Sequence, residues 1–233
     1  MSDTAPYTKL PGPLALFRQS WQLYISHLGL FLKLVIVPTL LSLIALALVA
    51  AVVFATNPQF LTDFQVPNLV LVIPAVIIAA VVSGIISLLG RIAIIKAIEA
   101  QGNTPGIIAL LKSGWPILGR FVLTQLLSSL VILLGFILLI IPGLILSLRY
   151  LFVTFVVISE HKSGWAALKQ SSAYVKGKFW PIVGRSLFIG LPTLLISIAS
   201  AQIDSAIATS LIQIIMTLVI SPIILIYLYQ LYQ

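Results

Sequence analysis

The chain keeps its charges out of long stretches. No Asp, Glu, Lys or Arg occurs between Lys33 and Asp63, between Asp63 and Arg91, or between Arg120 and Arg149. A helix that crosses a bilayer needs about 20 apolar residues, because the hydrocarbon core is about 30 Å thick. Each uncharged run is long enough for that. Across the chain 61% of residues are hydrophobic and only 8% are charged. A soluble domain carries roughly 25% charged residues to face water. The same numbers exclude disorder, which goes with few apolar residues.

The runs divide into six helices. The first is Leu34 to Thr56, ended by Asn57-Pro58. The second starts at about Asn68 and continues to about Ala100, since Arg91, Lys96 and Glu99 keep a helical spacing. Ile141-Pro142-Gly143 divides the next run, as Pro and Gly together are strong punctuation. It predicts a third helix over Pro116–Ile140 and a fourth over Pro142–Ser159, joined by a tight turn. The alternative is one long helix followed by a re-entrant segment, whose freed backbone groups need protein or water to satisfy them. The fifth helix is Trp180–Ser200 and the sixth is Asp204–Tyr229.

Charge placement supports six spans. One side collects Lys9, Arg18, Lys33, Arg91, Lys96, Lys112, Arg120, Lys162, Lys169, Lys176, Lys178 and Arg185. The other collects Asp63 and Asp204, with no Lys or Arg. Basic residues stay cytoplasmic, so both termini are expected in the cytoplasm. Met1–Gly29 has three prolines and no compact apolar core, so it does not read as a signal peptide. The net charge of +8 flanks apolar runs, which fits membrane orientation and not nucleic acid.

Three basic segments precede spans: Leu14–Trp21, Ile108–Trp115 and Trp165–Ser172. Each has apolar residues at helical spacing, then Lys or Arg, then Ser, which suits a short helix in the interface. Pro38-Thr-Leu-Leu-Ser-Leu-Ile-Ala also matches Pro192-Thr-Leu-Leu-Ile-Ser-Ile-Ala at six of eight positions. The expected fold is therefore all-α: a polytopic integral membrane helical bundle of six transmembrane helices plus short interfacial amphipathic helices. It forms one transmembrane domain over 1–233. Within it lie a cytoplasmic segment with an interfacial helix (1–29), a first hairpin (30–100), and two hairpins each led by an interfacial helix (104–159 and 163–233).

Chemistry is sparse. There is no cysteine, so disulfides, thiolate metal sites and cysteine nucleophiles are excluded. The chain has five acids and two histidines, with no metal-binding, nucleotide-binding or nucleophile-elbow motif. Glu160 and His161 are adjacent and read as interfacial charge. No catalytic residue, metal or cofactor is expected, and the chain does not read as an enzyme. Arg149 differs. It lies about 10 Å beyond Pro142 at ~1.5 Å per residue, and a cation at that depth is a candidate functional residue. Snorkelling to an interface is the plainer reading. Its candidate polar neighbours are Gln125, Ser128, Gln213 and carbonyls freed by Pro142 or Pro192.

Small residues at Ala79, Ser83 and Ser87 mark a packing face. Pro38, Pro142, Gly143 and Pro192 are candidate helix breaks or turns. They serve bundle packing, or else the helices of Pro38 and Pro192 frame a site.

Ile141-Pro-Gly-Leu-Ile-Leu-Ser-Leu-Arg-Tyr-Leu-Phe-Val, Ser163-Gly-Trp-Ala-Ala-Leu-Lys-Gln-Ser and Val175-Lys-Gly-Lys-Phe-Trp together resemble a signature of uncharacterised bacterial inner-membrane proteins. These are similar to the membrane domain fused to some glycerophosphodiester phosphodiesterases. The resemblance implies a six-helix membrane domain, with Pro142, Gly143, Arg149, Ser163, Ala167, Leu168, Ser171, Lys176 and Gly177 at signature positions. It implies no activity, because the hydrolase domain is absent. The leading expectation is a non-enzymatic organising, assembly or accessory protein whose partners include membrane lipids and not nucleic acid. The alternative is a transporter or channel for a small solute or lipid.

Overall fold

A computed structural model describes residues 11–56, 69–103 and 106–233. Asn57-Pro58, Asp63 and the start of the second span at Asn68 lie outside the described residues, as do Asp3 and Lys9. The elements are α1 (Pro13–Ser26), α2 (Leu28–Thr56), α3 (Leu69–Glu99), α4 (Ile107–Leu138), α5 (Ile140–Arg149), α6 (Val153–Ser159), α7 (Gly164–Val175), α8 (Phe179–Ser200), α9 (Ala206–Ile215), a π-helical turn (Met216–Ile220) and α10 (Ser221–Tyr232). No strand occurs among the described residues.

Among the described residues six segments are long and apolar enough to span a membrane: Leu28–Ala55, Val72–Glu99, Ile107–Leu138, Ile140–Ser159, Phe179–Ser200 and Ile207–Tyr232. Their outer faces are apolar. Leu43, Ile44, Leu46 and Leu48 of α2 are each more than half exposed. Contiguous apolar surface of this kind is rare on a soluble monomer. The protein is an all-α, multi-pass membrane protein.

The chain forms two compact units, one of Gly29–Leu118 and one of Met1–Leu28 with Gly119–Gln233. In the first, α2 runs unbroken through Pro38. The ring of Pro38 packs on Gly90 of α3, where a Cβ would lie 2.9 Å from Pro38 Cγ. The expected break at Pro38 is thus a knob filling a glycine gap. The segment Ile108–Trp115, expected as a separate interfacial helix, is the first part of α4, which continues through Pro116. Gly114 sits close to Ile92 and Leu89, and Lys96 Nζ donates to the carbonyl of Ser113 at 2.8 Å. These contacts hold the helix through the proline.

In the second unit the turn after α4 falls at Leu139, whose backbone is extended (φ −163°, ψ 150°). Pro142 and Gly143 are not the turn; they lie inside α5. Gly143 instead permits close approach. A Cβ there would lie 2.5 Å from the ring of Phe136 and 2.9 Å from its Cα. Gly135 reciprocates, with Gly143 Cα 3.1 Å from its own would-be Cβ. α8 is likewise continuous through Pro192.

α1 starts at Gly12-Pro13, a good helix opening because proline at the first position loses no needed N–H. It does not lie alone in an interface. Leu16, Ser20 and Tyr24, one face at i, i+4, i+8, are buried, and α1 packs against α10. Ser20 pairs with Gln230 and Tyr24 with Leu218, so the two helices run antiparallel. α7 buries Ala167, Leu168, Ser171 and Val175 against α5 and α6.

Gly143→Ala should destabilise the protein by about 1–3 kcal/mol, the usual range for overpacking a tight contact. Gly119→Ala, whose Cβ meets nothing within 4 Å, should leave melting unchanged or raise it slightly. Thermal melts of both variants in detergent check the pair. Equal behaviour would contradict the tight hairpin.

Candidate functional site

Arg149 is the last residue of α5, about 14 Å along the axis from Ile140 at ~1.5 Å per residue. There the span breaks. Tyr150–Phe152 form turns before α6 resumes the same segment. The break leaves few loose backbone groups. Tyr150 N–H donates to the Leu146 carbonyl at 3.0 Å, and Val153 N–H to the Tyr150 carbonyl at 3.1 Å. The carbonyl of Arg149 itself accepts from Ser171 Oγ on α7 at 2.8 Å, and Ser171 is fully buried.

The Arg149 side chain is exposed. Ser128, one expected neighbour, directs its hydroxyl to its own helix, at the Gln125 carbonyl. α7, which meets the Arg149 carbonyl, also carries an exposed Lys169. An exposed guanidinium on a long, flexible stem can reach headgroups or water.

A second cluster forms beside the break. Glu160 follows α6 and accepts three hydrogen bonds: from Lys162 Nζ at 2.9 Å, Tyr174 OH at 2.7 Å and Tyr232 OH at 2.7 Å. It therefore ties α6, α7 and α10 together. The side chain is 21% exposed. Burial pushes the Glu160 carboxyl up. The bonds from Lys162, Tyr232 and Tyr174 and the Lys162 charge outweigh this and hold it below the usual carboxylate value. Around it Phe152, Phe155, Tyr229 and Tyr232 pack ring against ring, at centroid distances of 5.6 to 6.4 Å.

Read from sequence, Glu160 is solvated interfacial charge; the structure makes it the centre of a three-helix clamp. The available signal was the tyrosine-rich end of the chain, whose hydroxyls need acceptors where they are buried. His161 has a left-handed backbone (φ 57°). Gly164, also left-handed, opens α7 and gives its N–H to Thr124 Oγ1 of α4 at 2.8 Å.

The other unexpected contact is at Pro222. Proline cannot donate to the carbonyl four residues back, here that of Leu218. The helix shifts locally to a π register, with Ser221 N–H reaching Met216 O. Tyr24 OH from α1 then donates to the Leu218 carbonyl at 3.1 Å. Among the described residues no group of three or more His, Cys, Asp or Glu is placed to hold a metal ion.

Tyr232→Phe should lower stability by about 1.5–3 kcal/mol, the range for a bond to a charged acceptor. The folded pKa of Glu160 lies below the unfolded one. The clamp's contribution is therefore complete above about pH 4.3 and is lost as pH falls through the folded value. Melts against pH should show this acid loss in the native protein and a flatter acid limb in Glu160→Gln. No family model, no curated protein and no solved structure matches the chain.

Proposed function

We propose that this chain is a multi-pass protein of a bacterial inner membrane, with both termini cytoplasmic, that organises or assists lipids or partner proteins without chemistry of its own. The observation that supports it most is the Glu160 clamp. The acid that stands beside a histidine in sequence is occupied in joining α6, α7 and α10. A carboxylate holding three donors is poorly suited to take up a proton in a reaction cycle. The orientation rests on the charges: the described basic residues other than Arg149 adjoin the connections assigned to one side, and Asp204 adjoins α9 on the other. The bacterial placement rests on the resemblance of Ile141–Trp180 to the inner-membrane signature.

A second reading, a transporter or channel for a small solute or lipid, is favoured by one feature. The fourth span is discontinuous at Tyr150–Phe152, immediately after Arg149. Discontinuous helices recur at transporter binding sites.

Reporter fusions at Gln233 and near Asp63 should report opposite sides of the membrane. A C-terminus outside the cytoplasm would contradict the six-span orientation. Purified protein in liposomes should show no saturable solute flux. Saturable flux abolished by Arg149→Ala would replace the organising role with transport.

A further inference from the structure

The second unit contains a groove of about 700 Å³ that opens sideways between α1, α8 and the π-helical turn. That volume lies within the roughly 300–1,000 Å³ of small-molecule sites. Its walls are apolar. α1 contributes Leu14, Phe17 and Trp21, and the far wall is Val219 and Ile220. The floor is α8 from Gly184 to Ile196, a length of about 18 Å at ~1.5 Å per residue. Thr193 lines it too, but its hydroxyl is taken up by the Gly190 carbonyl at 2.6 Å. Nothing in this lining selects a polar ligand. Its length and apolar character suit an extended hydrocarbon chain.

Two cations adjoin the groove. Arg185 follows Gly184, and its guanidinium donates to the carbonyls of Pro11 and Pro181, both at 2.9 Å, pinning the start of α1 beside α8. Arg18 is exposed on the face of α1 that carries Leu14 and Trp21, at the i, i+4, i+7 spacing. The opposite wall is the π-helical turn at Pro222, and such bulges are frequent at functional sites. α8 and the segment bearing the turn are both spans, so the groove faces lipid along its length.

We propose that this groove holds one acyl chain of an anionic glycerophospholipid, with its phosphate at Arg18, in the positive field of Arg185. The proposal rests on the membrane placement of α8 and α10 and on neither functional reading. The topology fusions test that placement separately.

Gly184 provides the test, since a Cβ there meets nothing within 4 Å. Gly184→Phe should therefore fill the groove and leave the fold intact, as a melting curve would verify. Native mass spectrometry of protein exchanged into detergent with phosphatidylglycerol should show one retained lipid per chain. Retention should fall by at least about tenfold in Gly184→Phe, a cost of ~1.4 kcal/mol. Arg18→Gln should bring phosphatidylglycerol down towards the level of phosphatidylcholine. An independent measurement avoids substitutions in the groove. With Trp115, Trp165 and Trp180 changed to Phe, phosphatidylglycerol brominated on its acyl chains should quench Trp21 and saturate near one lipid per chain. Absence of a retained lipid, equal retention by Gly184→Phe with an unchanged melt, or quenching that never saturates would each overturn the proposal.

Discussion

A backbone carbonyl or N–H in hydrocarbon has no water to bond, and leaving one unmade costs several kcal/mol. This constraint explains the most specific contacts in the molecule. At two breaks in the spanning helices, a side chain from another helix comes to the gap. Ser171 reaches the carbonyl of Arg149 where α5 stops. Tyr24 reaches Leu218, whose α-helical donor would have been Pro222. In both cases the donor fixes where its own helix lies, so a short polar helix is positioned by a defect in a long apolar one.

That logic gives α1 and α7 their roles. Both are too polar to span, yet neither merely floats at the surface. α1 is tied by Tyr24 at one end and by the Arg185 contact with Pro11 at the other. α7 is tied by Ser171, by Gly164 to Thr124 and by Tyr174 to Glu160. The lateral groove follows from the first of these arrangements, because α1 can stand beside α8 only while its ends are held.

The spans were legible because hydropathy is a local property of about 20 residues. Phe179–Ser200 differs from the expected Trp180–Ser200 by one residue. What was not legible depends on distant pairs. The turn was expected at Pro142-Gly143 from their ordinary role as punctuation. It lies at Leu139 because Gly143 is needed for contact with Gly135 and Phe136. Glu160 meets Tyr174 and Tyr232, residues far apart in sequence with no spacing that links them. Arg149 was singled out by depth alone. Its carbonyl, anchored by Ser171, is the part of the residue that the structure engages.

The claim that polar side chains repair gaps in the spanning backbone is tested most directly by a double-mutant cycle on Tyr24 and Pro222. Tyr24→Phe should lower stability by about 1 kcal/mol, the ordinary value of one hydrogen bond. Pro222→Ala restores an N–H that can serve the Leu218 carbonyl. On that background Tyr24→Phe should cost much less, giving a coupling energy above about 0.5 kcal/mol between the two sites. Strictly additive effects on unfolding in detergent would contradict the account.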